Sequence, residues 1–214
     1  MKIFNGNKNE VLNYQENLNC QTNRKITTRS REFRRDEDIV HLKYHFPYAK
    51  SVLCVGSIDD SEIESFIKNG YKCKGIDVCT NTDLITKKDI SELDKDFGVF
   101  DIVYCSHVLE HVIDPITAMT AIRNVSKQAI FIILPITTST EPNVEHPTIY
   151  NVMKKPPENN FSGYYYNNIW EDFKTLEPYQ VVYNCYRTGR TEDCEIGIIF
   201  KLFNMTWCDK RNNN

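Results

Sequence analysis

The stretch DIVYCSHVLEHVIDP, residues 101–115, begins as an apolar run and then places Ser106, His107, Glu110 and His111 close together. Imidazoles titrate near neutrality and can take or give a proton, and a neighbouring carboxylate can charge or orient them. His146 is a third candidate base further along the chain. Asp77 closes another apolar run, roughly twenty residues after Gly56, a spacing that lets a strand-end acid accept hydrogen bonds from ligand hydroxyls seated over a glycine turn. Asp89, beside Ile90, follows shortly after. Proton transfer and polar ligand binding are the chemistries these residues offer.

Several elements must position them. SVLCV, from residue 51, reads as a short buried strand, GSIDD as a turn and SEIESFIKNG as a helix. Ile63, Phe66 and Ile67 fall on one face of that helix, Ser61 and Glu64 form a capping box, and Gly70 suits a left-handed end. YKCKGIDV is a second strand and VFDIVYCS a third. Asp114 caps and Pro115 opens a further helix with an apolar stripe of Ile116, Met119, Ile122 and Val125, and AIFIILP follows as a fourth strand. Strands that alternate with helices and read as unbroken apolar runs predict an α/β fold, a mostly parallel sheet covered on both faces. YQVVYNCYR and EIGIIFKLF lack a crossover helix between them and are expected to pair antiparallel. The reading is one domain over 1–214: an amino-terminal helical extension (1–50), a ligand-binding core (51–135), an acceptor or lid insertion (136–168) and a carboxy-terminal helix and strands (169–214).

In such a sheet ligands bind beyond the carboxyl ends of the strands. Residues 56–60, 77–80, 88–90 and 105–111 are thereby expected together, and Asp77 suits the ribose of an adenosyl ligand. A pyrophosphate needs backbone amides exposed by a G-x-G-x-x-G turn. Here Ile58 and Ser61 occupy the later glycine positions, and Asp59 and Asp60 add negative charge. A net cationic ligand, S-adenosylmethionine, suits these charges better.

VLCVGS, GIDV and FDIVYCSHVLEHVIDP together resemble the class I S-adenosylmethionine-dependent methyltransferases, especially the type 11 group, over residues 51–135. The resemblance implies a Rossmann-like fold with an antiparallel carboxy-terminal strand. It also implies S-adenosylmethionine as cofactor, methionyl contact through the Gly56 and Ser57 backbone, Asp77 with Val78 at the ribose, and Asp89 with Ile90 at the adenine. Cys105, Ser106 and His107 would line the pocket floor. The family's acid at the first strand end is Cys54 here, and Ile58 and Asp60 replace later glycines.

Methyl transfer from a sulfonium is an in-line displacement governed by alignment and exclusion of water. A hydroxyl or amine acceptor also needs a base, and His107, His111 and His146 are the candidates, with a structural role for His111 an equal alternative. Tyr150, Tyr164, Tyr165 and Tyr166 are expected either to shape an acceptor pocket for a small metabolite or sugar, or to pack a long loop. Other readings stay open, a nicotinamide-dependent Rossmann enzyme being the least favoured, and two carry more weight. One is a methyltransferase-like scaffold without turnover; the other is an RNA methyltransferase using the basic stretch at 24–35, whose structural alternative is a solvated helix face.

Composition bounds these readings. The 214 residues are 41% hydrophobic, enough for one substantial core, and the formal net charge of −3 gives no general attraction to nucleic acid or anionic membrane. No stretch approaches the ~20 apolar residues of a membrane span and the first residues lack a signal-peptide pattern, so a cytoplasmic protein is expected. The eight cysteines form no CxxC pair and read as buried reduced thiols, and no metal is expected.

Overall fold

The computed structural model describes residues 2–3, 5, 7, 9–11, 13–14, 28–136, 147–149, 172–188 and 194–203. In chain order the elements are β1 (Lys2–Ile3), α1 (Thr28–His45), β2 (Ser51–Val55), α2 (Ser61–Lys68), β3 (Lys72–Asp77), β4 (Ile85–Lys87), β5 (Phe100–Ser106), α3 (Pro115–Val125), β6 (Ser126–Ile136), β7 (Thr148–Ile149), β8 (Tyr179–Thr188) and β9 (Cys194–Leu202). Short 3-10 turns occupy Ile90–Glu92, Leu109–His111 and Lys174–Leu176.

Seven strands form one sheet in the order β4-β3-β2-β5-β6-β9-β8. The pairs from β4 through β6 are parallel, whereas β9 runs antiparallel to both β6 and β8. The expected mostly parallel sheet and its antiparallel pair are both present. β9, the last of the described strands in sequence, lies inside the sheet between β6 and β8. A separate ribbon joins β1 to β7 antiparallel, with Lys2 opposite Ile149 and Ile3 opposite Thr148.

The unbroken apolar strands arise because both faces are covered. Successive residues of a strand point to opposite faces. In β2, Val52 and Cys54 join Ile39, Leu42, Ile63 and Phe66 on the side of α1 and α2. Leu53 and Val55 join Met119, Ile122, Ile130 and Phe200 on the side of α3. Each fully buried Leu, Ile or Phe contributes about 1.5–3 kcal/mol of transfer free energy. Cys54, Cys73 and Cys105 are buried free thiols, as expected.

Details of the helices depart from the expected pattern. Ile63 and Phe66 are buried, but Ile67 is 44% exposed, and Ile116 at the start of α3 is 50% exposed, where the stripe predicted burial. No capping box closes α2. Its N-cap is Asp60, without a side-chain cap bond, and the Asp59 carboxylate accepts from the Ser61 N–H and hydroxyl instead. An aspartate two residues upstream competes effectively for the same amide. The Asp114 cap is present, with its carboxylate accepting from the Thr117 N–H at 3.0 Å, and Gly70 adopts φ 92° after α2.

The basic stretch is partly turned inward. Arg35 donates to the hydroxyls of Ser61 and Ser65 on α2, at 3.3 and 3.2 Å, and Asp38 accepts from the Tyr104 hydroxyl at 2.8 Å. Asp101, at the start of β5, accepts from the Lys50 and Ser51 amides and the Ser51 hydroxyl, fixing the entry of β2 beside it. No described helix is long and apolar enough to cross a membrane.

Candidate functional site

A cleft of about 220 Å3 opens beyond the carboxyl ends of β2, β3 and β5. Of the residues expected there, Gly56, Asp77, Val78, Asp89, Ile90, His107 and His111 line it. Ser57, Cys105 and Ser106 do not border it. Ser57 is 2% exposed and its hydroxyl donates to Glu62 at 3.0 Å, while Cys105 is fully buried and burial pushes its thiol pKa well up. His146, Tyr150, Tyr164, Tyr165 and Tyr166 lie outside the described residues.

Gly56 shapes the first wall. It adopts φ 74°, and its N–H donates to the Ile76 carbonyl at 2.8 Å, with the Ser57 N–H on the same oxygen at 3.2 Å. A β-carbon there would lie 2.2 Å from Cγ2 of Val108, so the turn and the loop after β5 close on one another only at glycine. Beneath the turn, burial pushes the Glu62 carboxyl up to about 7, against the Arg35 charge and the Ser57 hydrogen bond.

Asp77 shapes the second wall and is 6% exposed. Its Oδ1 accepts from the Cys79 and Thr80 amides at 2.7 and 2.9 Å, which curls the chain beyond β3. Oδ2 has no hydrogen-bond partner among the described residues and is open to a ligand. Asp89 accepts from the Ser91 N–H and hydroxyl at 2.9 and 2.8 Å, fixing the next turn.

The charge argument built on Asp59 and Asp60 needs correction. Neither lines the cleft: Asp59 holds Ser61, and Asp60 accepts from the Thr82 hydroxyl at 2.6 Å. The acids at the cleft are Asp77, Asp89 and Asp114, facing Lys88, His107 and His111. Local folding of the turn outward, toward its own helix and the β3–β4 loop, is what removes the acidic pair.

His107 sits between two carboxylates. It takes φ 55°, a left-handed conformation that histidine adopts more readily than most residues, while its N–H donates to the Ile133 carbonyl at 2.9 Å. Nε2 lies 3.0 Å from Glu195 Oε2, and Nδ1 lies 3.5 Å from Glu110 Oε1. Arg34 reaches the same Glu195 oxygen at 3.0 Å. Burial opposes ionisation of the ring, but the two carboxylates outweigh it and push His107 up to about 9. With its ring nitrogens 3.0 and 3.5 Å from two carboxylates, His107 is in a setting that favours the protonated ring over a free base. Burial also works against Glu110 ionising, yet His107 and His111 hold its carboxyl below the usual range.

Glu195 and Arg34 were not foreseen from the sequence, because an ion pair between distant segments leaves no local pattern. The same holds for Val11 and Tyr14, which also line the cleft. Glu195→Gln is expected to lower the His107 pKa from about 9 toward its ordinary 6.5, measured from the ring C–H shifts in an NMR titration. Since the folded-state value is the higher one, the stabilisation from this pair is full below pH 6.5 and lost as pH rises through about 9. The variant should flatten that loss, and an unchanged titration would contradict the pairing. Among the described residues no group of three or more His, Cys, Asp or Glu is placed to hold a metal ion.

A family model described as a methyltransferase domain matches residues 15–167. No curated protein matches the chain in sequence. Among solved structures, the chain is similar to the 1,6-didemethyltoxoflavin-N1-methyltransferase of Burkholderia thailandensis, solved with 1,6-didemethyltoxoflavin and S-adenosylhomocysteine bound, at TM-score 0.64 and 13% identity over 91% of this chain and 88% of that one. It is also similar to the magnesium protoporphyrin IX methyltransferase of Synechocystis PCC 6803, solved with S-adenosylmethionine, at TM-score 0.55 and 11% identity over 81% and 80%. The cyclase SpnF matches at TM-score 0.53 and 9% identity over 78% and 80%. At these identities the likeness is one of fold.

Proposed function

The chain belongs to the methyltransferase domain family, and from that premise we propose that it binds S-adenosylmethionine in the cleft and transfers its methyl group to a small-molecule acceptor. The observation that carries this reading is the meeting of the Gly56 turn, Asp77 and Asp89 in one cleft at the carboxyl ends of the parallel strands. Asp77 Oδ2 suits a ribose hydroxyl, and the glycine at 56 lets the turn pack against Val108 at the rim of the cleft. The ligand supplies an electrophilic methyl group on a sulfonium.

The chain's own residues bind, align and shield. Val55, Ile58, Ile76, Ile90 and Val108 give the cleft apolar walls that exclude water, and Asp77 and Asp89 favour a net cationic ligand. His107, held as a cation, fixes the loop after β5 rather than taking a proton. His111 lines the cleft and is the candidate base among the described residues for an acceptor that must lose a proton.

A small acceptor is supported by the apolar lining of the cleft and by the compounds named for two of the structural relatives. The RNA reading is weakened because Arg34 and Arg35 are engaged with Glu195, Ser61 and Ser65. SpnF, named as a cyclase, shares the fold, so the fold alone does not fix the reaction. Isothermal calorimetry decides the first step: S-adenosylhomocysteine should bind one-to-one in the micromolar range. Absence of heat at millimolar ligand would overturn the proposal, and binding without turnover across amine, hydroxyl and carboxylate acceptors would favour a scaffold.

A further inference from the structure

Resting on the nucleoside ligand of the preceding reading, we propose that Glu62 is a positioning residue for that ligand: from the first turn of α2, its carboxylate grips the middle of the 56–58 turn from beneath and so shapes the cleft. Gly56 and Ile58 both line the cleft, whereas Ser57 between them is 2% exposed and turns its side chain away. That side chain ends on Glu62, its hydroxyl donating to Oε1 at 3.0 Å. Glu62 as a residue is half-buried, but its carboxylate reaches inward to Ser57 and faces the fully buried Cys54 thiol. Other ties on the turn come from the opposite side. The Ile76 carbonyl accepts from the Gly56 and Ser57 amides, and the Ile58 carbonyl accepts from the Thr80 hydroxyl at 3.1 Å, on the loop that Asp77 curls. β3 and its loop hold one side of the turn, and α2 holds the other through Glu62.

The strength of this grip depends on charge, because a hydroxyl bonds a carboxylate roughly twice as strongly as it bonds a neutral acceptor. Burial pushes the Glu62 carboxyl up to about 7, with Asp59 adding to the rise and Arg35, Ser57 and Cys54 opposing it. Arg35, on α1, is held in place by the Ser61 and Ser65 hydroxyls, and Asp38 beside it on α1 accepts from Tyr104. Cys54 on β2 and Tyr104 and Cys105 on β5 stay neutral near pH 7, since burial pushes each of them well up. The Cys73 thiol on β3 lies 3.5 Å from that of Cys54. Glu62 is therefore the member of this group that changes charge near neutrality. Because its folded-state value lies above the ordinary 4.5, its contribution to stability is full below pH 4.5 and lost as pH rises through about 7. A carboxylate kept where its ionisation weakens the fold needs a compensating role, and ordering the turn supplies one.

Ionised Glu62 thus favours the bound state, and bound ligand in turn draws the proton off Glu62. The test is calorimetry with S-adenosylhomocysteine on the full chain and on Glu62→Gln, whose amide keeps an acceptor oxygen without the charge. The ratio of parent to variant affinity should be close to one at about pH 5.5 and rise to about tenfold at about pH 8.5. Taking the ratio cancels the titration of His111 and the other cleft groups, which both proteins share. The melting temperature of Glu62→Gln at the higher pH should equal or exceed that of the parent, so the lost affinity cannot come from a weakened fold. Carboxyl NMR of the parent gives a second reading: saturation with ligand should lower the Glu62 pKa from about 7 to about 6, since tenfold in affinity corresponds to about one pH unit. A ratio that stays constant with pH, together with a Glu62 titration that ligand leaves unmoved, would overturn the positioning role alone. Failure of the parent to bind at any pH would overturn the functional reading and this inference together, a result readily told apart from the first.

Discussion

Gly56→Ala should destabilise the fold and cut the affinity for S-adenosylhomocysteine by about two orders of magnitude. Two costs add. An L-residue at φ 74° costs roughly 1 kcal/mol relative to glycine, and a new methyl in a filled space typically costs about 1–3 kcal/mol. The space here is filled by Val108 Cγ2, only 2.2 Å from the new carbon. Because both residues line the cleft, whichever yields also deforms the ligand site. Pairing Gly56→Ala with Val108→Ala should recover stability from the steric part and leave the backbone part. Urea denaturation and calorimetry on both proteins test this; an unaltered midpoint and affinity in the single variant would refute the account of the turn.

The second large effect is expected at Asp77, where the two carboxylate oxygens divide the work. Oδ1 holds the Cys79 and Thr80 amides, and Oδ2 is open to the ligand. Asp77→Ala should lose both functions: a charged hydrogen bond is worth about 1.5–3 kcal/mol, which corresponds to roughly 10–100-fold in affinity. The unsupported amides should also lower stability by about 1 kcal/mol. Asp77→Asn keeps an oxygen for the amides, so its stability should stay close to the parent while affinity falls about tenfold. Calorimetry separates the two, and equal affinity in the parent and Asp77→Ala would remove this residue from the binding site.

The parts of this protein that sequence made legible are those governed by local periodicity. The runs that became β2, β5 and β6 could be recognised because strands buried on both faces are largely apolar, while β3 exposes Lys72 and Lys74 and alternates at its start like a half-covered strand. The Asp114–Pro115 start of α3 could be recognised from capping chemistry. β4, with three residues, and the β1–β7 ribbon, with two on each side, are too short to show any period. Ile67 and Ile116 fit a helical stripe by spacing but lie at its margin, where solvent rather than core takes the side chain.

The positions of Gly56, Asp77 and Asp89 along the cleft were legible because each lies at or just past a strand end. His107 was recognised as a site residue, but its protonation was not, since that depends on Glu195, whose strand returns to the sheet from far along the chain. Asp59 and Asp60 mislead for the complementary reason: adjacency in sequence to the turn says nothing about which way each carboxylate faces.

The interior position of β9 bears on how this chain is made. A ribosome delivers residues in order, so β6 emerges with one margin unsatisfied and waits until residues 194–202 arrive to zip along it. The nascent chain must keep that bare margin from sticking to its neighbours throughout the interval. Because Glu195 travels on the same late strand, the pairing of His107 with that carboxylate forms only once the strand is in place.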